Sequence, residues 1–184
     1  MPKPTLYFLR SSENKIAKDI LHYAMRLDTL NKTVQDFSEL DIYYKFYGLS
    51  SKDLGLYALD NNTIAGAVWI RLLKKEDKAN AFIDADTPVL QIAVKPELRN
   101  KGIGFAMMEQ FFIEAAASFE QISLSVVKDS DAIRFYEKFG FSKVEGLDAL
   151  SIVDDKPVIT MLKKLIKKEI VRPSDGYDPR KWMD

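Results

Sequence analysis

The sequence lacks the residues on which several kinds of functional site depend. It contains no cysteine, which excludes disulfides, cysteine-ligated metal sites and a cysteine nucleophile. Its one histidine, His22, leaves little material for a zinc site or a Ser-His-Asp triad. His22 lies in an amphipathic stretch, so we expect it to have a structural or surface role, and we expect the protein to bind no metal.

A charge excess of one sign and long apolar runs are also missing. Lys plus Arg and Asp plus Glu each number 27, which argues against a protein that coats nucleic acid. No apolar run approaches the ~20 residues that a membrane-spanning helix needs, and Met1–Arg10 lacks the apolar core of a signal peptide. We therefore expect a cytoplasmic protein that has neither nucleic acid nor a membrane as its partner.

The composition is that of an ordinary globular protein, with 47% hydrophobic and 29% charged residues. Periodicity and turn residues predict strands at residues 5–9, 54–59, 64–73, 89–94, 122–127, 141–144 and 158–165, and a further strand beginning at 81–84. Helices are predicted after Ser11 or Ser12, over 33–47, from Gly102 or Gly104 onward, and over 131–139. This order predicts an α/β protein with a mixed sheet and helices on both faces.

The aromatic segment 33–47 has two interpretations. It contains Phe37, Tyr43, Tyr44, Phe46 and Tyr47. These side chains either pack in the core or form a lid over a small-molecule cleft, because large aromatic residues can wall such a cleft.

A glycine-containing loop follows the predicted strand 90–94. Its sequence is Arg99-Asn100-Lys101-Gly102-Ile103-Gly104, and a long amphipathic helix comes after it. Glycine lets the backbone approach a ligand closely, and the helix points unpaired N–H groups and its positive dipole end at the loop. Such a loop either binds an anion such as pyrophosphate or is a tight strand-to-helix turn whose basic residues are solvated. It lacks the Gly-Lys-Ser/Thr ending of a P-loop and the three-glycine dinucleotide fingerprint.

Two segments resemble the signature motifs of the GNAT superfamily of N-acetyltransferases. One family motif is Gln/Arg-x-x-Gly-x-Gly/Ala behind a strand that ends in Val-x-Pro, filled here by Arg99, Gly102 and Gly104 behind Val94 and Pro96. The other is Ala-x-x-x-Tyr-Glu-Lys-x-Gly-Phe, which matches residues 132–141. The resemblance covers about residues 6–165, and it implies one acyltransferase domain over 1–165 followed by a polar tail over 166–184.

The resemblance implies a mostly antiparallel central sheet with a β-α-β-α half that binds acetyl-CoA as the acetyl donor. Backbone groups of the strand would pair with the pantetheine arm by β-augmentation, and the loop amides would hold the pyrophosphate. The implied cofactor-binding residues are Ile92, Ala93, Val94, Arg99, Asn100, Lys101, Gly102, Ile103, Gly104 and Phe105, with Asp129 as a further position.

Tyr136 matches the family tyrosine that protonates the departing CoA thiolate. A phenol suits this role because it stays protonated at neutral pH and can donate to a developing thiolate. The alternative for Tyr136 is a core tyrosine of a helix that ends at Gly140. Asp129 departs from the asparagine of many relatives; it either contacts the cofactor or, like Ser130, caps the following helix.

No general base is evident. Many relatives carry a glutamate near the position of Pro88, and this glutamate is absent. Asp84 and Asp86 are candidate bases or solvated loop residues, and Gln91 could orient a water molecule but cannot accept its proton. Because some family members deprotonate the amine through water alone, the resemblance does not require a base residue.

The sequence leaves three kinds of function open. The first expectation is an N-acetyltransferase that acts on a small-molecule amine or a peptide amine by direct attack. The alternatives are a non-catalytic acyl-CoA-binding sensor and an interaction domain, in which Ile170, Val171, Tyr177 and Trp182 of the tail could contact a partner. Exposed sheet edges make a homodimer a further expectation.

Overall fold

The structure is a computed structural model that describes residues 3–167 of the chain. Its strands are β1 (Thr5–Phe8), β2 (Leu54–Asp60), β3 (Thr63–Arg71), β4 (Val89–Val94), β5 (Gln121–Val127), β6 (Ser142–Leu150) and β7 (Pro157–Lys164). Its α-helices are α1 (Asn14–Ala24), α2 (Ile103–Ala115) and α3 (Ala132–Lys138). The tail predicted from position 166 lies outside the described residues from position 168 onward. No helix within the described range is long and apolar enough to cross a membrane.

The seven strands form one sheet in the order β1-β2-β3-β4-β5-β7-β6. Neighbouring strands are antiparallel except β4 and β5, which are parallel because α2 makes the crossover between them. Asn61 and Asn62 join β2 to β3 with φ of 49° and 63°, a left-handed turn that asparagine tolerates. The mixed, mostly antiparallel sheet confirms the predicted fold class.

The helices cover both faces of the sheet because each face carries its own apolar cluster. On one face, Ile20 of α1 packs in a cluster with Trp69 of β3. On the other face, Phe111 of α2 lies in a second cluster, and α3 packs beside it, with the Phe112 and Phe139 ring centroids 5.6 Å apart. Alternate strand residues point to opposite faces, so a single sheet supplies both clusters.

The prediction of a second α-helix over residues 33–47 is wrong. The segment forms two short 3₁₀ turns, Val34–Asp36 and Ser38–Tyr43. Some of its carbonyls accept 3₁₀-type hydrogen bonds from within the segment, such as Asp41 O from Tyr44 N–H at 3.2 Å, and others accept from β3 side chains, as Trp69 Nε1 donates to Tyr43 O at 2.8 Å. The segment packs in the α1-side cluster, so the core interpretation of its aromatic residues holds for most of them.

The strand predicted to begin at residues 81–84 does not form. Ala81 has φ +69°, which no strand residue adopts. Its carbonyl accepts a hydrogen bond from the Ser123 hydroxyl at 2.6 Å. This hydrogen bond holds the loop that contains Ala81 against β5, and β4 begins only at Val89.

The predicted side-chain cap of α1 does not form, whereas that of α3 is one of the two predicted residues. Neither Ser11 nor Ser12 caps α1 with its side chain, because both residues lie in the 3₁₀ turn that precedes it. At α3 the cap comes from Ser130, whose hydroxyl accepts the Ala132 N–H at 3.1 Å. Asp129 is therefore not the capping residue.

Candidate active site

A cavity of about 710 Å³ opens where the parallel strands β4 and β5 separate. Their ladder holds one residue pair, Val89 opposite Ser123, and the strands diverge beyond it. The walls of the cavity come from both strands, from the start of α2, from α3 and from the loop between β6 and β7. An open strand edge inside a concave site can bind an extended ligand that carries amides.

The register of β4 determines which backbone groups face this cavity. Lys95 donates its N–H to Ala65 O of the β3 side at 2.8 Å, and the register continues with Ala93 opposite Ala67. Because successive residues direct their backbone groups to opposite sides, Ala93 hydrogen-bonds toward β3. The N–H and C=O groups of Ile92 and Val94 therefore face the gap toward β5.

The loop after β4 presents a run of N–H groups without backbone acceptors. Asn100 and Gly102 have φ of 62° and 79°, and these two left-handed residues turn the chain into α2. Ala106 N–H donates to Gly102 O at 3.0 Å. The six N–H groups from Asn100 to Phe105 have no backbone acceptor in the described chain. Such a run at a helix N-terminus is suited to an anion.

The other loop residues lie in different environments. Arg99 Nε donates to Val94 O at 3.0 Å, which holds this guanidinium at the end of β4. Gly104 lies where α2 approaches α3: a Cβ there would lie 3.6 Å from Phe135 and 3.7 Å from Val94. Lys101 is exposed and is not part of the cavity wall, whereas the other loop residues from Arg99 to Phe105 line it.

Tyr136 lines the cavity from α3. Its ring packs edge-on against Phe135 and Phe141, with centroid distances of 5.5 and 5.9 Å. Among the described residues no group hydrogen-bonds its hydroxyl, and no unpartnered polar side-chain atom is fully buried, so the hydroxyl reaches the cavity. Burial of the residue raises the pKa of Tyr136 from 10.0 to about 12, which keeps the hydroxyl protonated.

Asp129 lies next to the cavity without lining it. The wall at this point is formed by Val127, Ser130 and Asp131. The chain turns between them, since Ser130 N–H donates to Val127 O at 3.0 Å. The structure thus brings together the β4 edge, the glycine loop and Tyr136, and leaves Asp129 at their border.

The two candidate aspartate bases lie at a different cavity. Asp84 and Asp86 line a space of about 390 Å³ near the end of β3 and the start of β5. Hydrogen bonds from the Thr87 hydroxyl and the Asp86 N–H lower the pKa of Asp84, which weakens it as a base. Gln91 lies in the wall of the main cavity.

Of the remaining wall of the main cavity, the sequence singled out only Tyr43, as one of the aromatic residues that could wall a small-molecule cleft. This wall comes from the end of α1, the 3₁₀ segment and the two loops that precede β4 and β7, and includes Tyr23, Met25, Arg26, Tyr43, Asn80, Ser151 and Ile152. These residues are distant in sequence and carry no motif. Only the fold brings them together.

Comparison with known proteins agrees with this geometry. A model of the Acetyltransferase (GNAT) domain matches residues 52–143. The Probable N-acetyltransferase san of Drosophila melanogaster is 31% identical over 127 residues, which are 67% of this chain and 65% of that protein. The chain thus spans slightly less than two thirds of this relative. N-alpha-acetyltransferase 50 of Danio rerio is 28% identical over 67% of this chain and 71% of its own length.

Solved structures share the fold. A phosphinothricin acetyltransferase of Sinorhizobium meliloti in complex with AcCoA has a TM-score of 0.65 at 17% identity, covering 97% of each chain. A GNAT-family acetyltransferase of Streptococcus pneumoniae has a TM-score of 0.61 at 23% identity, covering 88% of this chain and 100% of its own. Since the family model spans half of the chain and includes the glycine loop, the chain belongs to the GNAT superfamily of acetyltransferases.

Proposed function

We propose that this protein transfers an acetyl group from acetyl-CoA to an amine by direct attack, with Tyr136 as the general acid. The observation that carries the proposal is the Tyr136 hydroxyl, which reaches the same cavity as the unpaired β4 edge and the glycine loop. Such a reaction needs a binding site for the pantetheine arm of the donor, a binding site for its phosphates and a proton source, and the three features correspond to these needs.

The residues present fit acetyl-CoA. The six free N–H groups from Asn100 to Phe105 suit the pyrophosphate. The backbone groups of Ile92 and Val94 suit the amides of the pantetheine arm, which would extend the sheet as an added strand. When bound, acetyl-CoA supplies the thioester. Asp129 and Lys101 stay weaker predictions for this role because neither lines the cavity.

The role of Tyr136 follows from the proton balance of the transfer. The amine nitrogen forms a bond to the acetyl carbon and loses a proton to water, while the carbon–sulfur bond breaks and the sulfur gains a proton. The Tyr136 hydroxyl donates that proton, and its raised pKa keeps the donor protonated across the physiological range. A covalent cysteine intermediate is excluded, because the chain has no cysteine.

The replacement Tyr136→Phe tests this assignment. The ring and its aromatic contacts stay while the hydroxyl is lost, so we expect kcat to fall by about 10²–10⁴-fold with an unchanged KM for acetyl-CoA. Release of CoA can be followed with a thiol reagent, because the cysteine-free chain gives no background.

Tyr57→Phe is the matched control. Tyr57 lies on β2, where its hydroxyl donates to Glu13 Oε1 at 3.4 Å, and it does not line the cavity. Its replacement should leave turnover unchanged. Full activity of Tyr136→Phe would remove the general acid. Binding of acetyl-CoA without turnover on any amine would instead favour the non-catalytic sensor.

The names of similar proteins point to amines of several kinds. A structure similar to this one is the ribosomal-protein-S18-alanine N-acetyltransferase of Escherichia coli, and another is a spermidine/spermine N-acetyltransferase of Vibrio cholerae. For this chain the acceptor is either a small-molecule amine or a peptide amine. The cytoplasmic location and the homodimer stay predictions.

A further inference from the structure

The end of the main cavity on the α1 face of the sheet has a distinct lining. We call it the acceptor end, and it consists of Tyr23, Arg26, Tyr43, Gln91, Ser151 and Ile152. Successive side chains of β4 point to opposite faces of the sheet. Ile92 and Val94 pack with the α2-side cluster, so the Gln91 side chain points to the α1 face, where the acceptor end lies.

Two buried polar side chains at the acceptor end have no hydrogen-bond partner among the described residues. Gln91 is 9% exposed and Tyr43 is 4% exposed. Neither the Gln91 amide nor the Tyr43 hydroxyl makes a hydrogen bond to another described residue, and none of their polar atoms is sealed from solvent. Buried polar groups are almost always hydrogen-bonded, so groups that face a cavity without a partner are suited to a ligand.

The acceptor end carries no uncompensated charge among the described residues. Arg26 is its charged lining residue, and Arg26 Nη1 lies 2.6 Å from Asp154 Oδ2 while Nη2 donates to Asp154 Oδ1 at 3.3 Å. Arg26 Nη2 also donates a hydrogen bond to the Ser151 hydroxyl at 3.4 Å. The pair ties the loop after α1 to the loop before β7 and neutralises the guanidinium.

One further carboxylate lies near Tyr43 without entering the cavity. Burial, and secondarily the charge of Asp77, raise the pKa of Tyr43 to about 12. Asp77 accepts the Lys74 N–H at 2.8 Å, is exposed, and is absent from the cavity wall. The acceptor end therefore offers neutral hydrogen-bonding groups among aromatic and aliphatic walls.

We propose that the Tyr43 hydroxyl and the Gln91 amide bind the attacking amine, and that the acceptor is a primary amine attached to an uncharged, mainly apolar group. The inference rests on the proposed function and names its acceptor class. The amine N–H groups donate to Gln91 Oε1 and to the Tyr43 oxygen, which leaves the nitrogen lone pair free for the thioester. A polyamine is disfavoured because a second cation would meet no carboxylate in this wall.

Binding and turnover are separate readouts of the inference. Calorimetry on the full chain saturated with CoA measures binding of phenethylamine, of a tripeptide that begins with Phe, and of spermidine. We expect phenethylamine or the tripeptide to bind at least tenfold more tightly than spermidine. The tighter of the first two then shows whether the acceptor is a small molecule or a peptide.

Two substitutions test the named groups. Tyr43→Phe keeps the ring and the backbone carbonyl that accepts from Trp69, and Gln91→Leu keeps the approximate side-chain volume. Each should weaken amine binding and raise the amine KM about tenfold, the loss of roughly one hydrogen bond, with an unchanged KM for acetyl-CoA. Tyr44→Phe and Gln110→Leu are matched controls outside the cavity wall and should change neither value.

The outcomes separate the inference from the proposed function. Unchanged amine binding in both Tyr43→Phe and Gln91→Leu, or tighter binding of spermidine than of either apolar amine, overturns the inference even if CoA is released. Amine binding that follows the expected order without CoA release on any of the three probes supports the acceptor assignment and refutes acetyl transfer.

Discussion

Replacing Gly102 by glutamate tests the anion site with a control that the chain itself provides. Gly102 has φ +79° and a Cβ there would meet no atom within 4 Å. Glutamate therefore fits sterically, but it brings backbone strain and a negative charge into the run of N–H groups. Gly146 has φ +82° and the same open surroundings, yet it lies on β6 away from the cavity wall. Gly146→Glu reproduces the strain without the charge at the loop.

The expected magnitudes can be worked out for both variants. A left-handed non-glycine residue costs about 1–2 kcal/mol, which lowers the Tm of either variant by about 2–8 °C. Acetyl-CoA at a hundred times its Kd stabilises the wild type by about 2.7 kcal/mol, an increase of about 5–11 °C. The new carboxylate and a cofactor phosphate about 4 Å apart would repel each other by about 4 kcal/mol at an effective dielectric constant of 20. This repulsion exceeds the stabilisation that bound acetyl-CoA provides.

Thermal unfolding with and without acetyl-CoA measures these terms. Wild type and Gly146→Glu should show the same increase in Tm, although the second starts from a lower value. Gly102→Glu should start from that same lower value and show no increase. Equal increases in all three proteins would refute the assignment of the loop as the pyrophosphate site, and no increase in any of them would refute acetyl-CoA binding.

Three further predictions concern single interactions. Asp154→Asn should lower the free energy of unfolding at neutral pH by about 1–3 kcal/mol, measured with urea. A hydrogen bond from Arg26 lowers the pKa of Asp154 below 3.8, so the Asp154 carboxylate stabilises the fold above pH 3.8 and this stabilisation should disappear as the pH falls below that value. Tyr136, with its pKa raised from 10.0 to about 12, stabilises the fold below pH 10, so stability should fall between pH 10 and 12 more steeply in wild type than in Tyr136→Phe. Trp69→Phe removes the buried hydrogen bond to Tyr43 O and should lower the free energy of unfolding by about 1–3 kcal/mol in the same assay.

The glycine loop could be predicted because its chemistry is local. Gly102 needs a left-handed backbone, and a helix that begins at Ile103 follows from that turn. The Asn61-Asn62 turn is predictable for the same reason. In each case the residues that determine the conformation are the residues that adopt it, so no knowledge of the rest of the chain is needed.

The segment 33–47 shows where local reasoning fails. Its apolar spacing suits a helix, yet the carbonyls of Ile42 and Lys45 accept hydrogen bonds from Arg71 Nη1 at 2.9 and 2.7 Å. In an α-helix those carbonyls would bind N–H groups four residues later. Arg71 is held in turn by Asp53, with Nε 3.1 Å from Oδ1. These partners are distant in sequence, so tertiary contacts override the periodicity.

The separation of β4 from β5 creates the cavity, and only the resemblance to the family motif, not the residue pattern of the two strands, predicts an open edge there. The apolar residues of β4 and β5 suit two neighbouring buried strands, yet their ladder holds only the pair Val89 and Ser123. The divergence leaves the backbone groups of Ile92 and Val94 without strand partners, although Val94 O accepts a hydrogen bond from Arg99 Nε at 3.0 Å. Backbone groups that stay unpaired away from water are costly. A sheet that keeps this edge open at its centre is therefore suited to a ligand with amides of its own, and the glycine loop lies where that ligand would carry its phosphates.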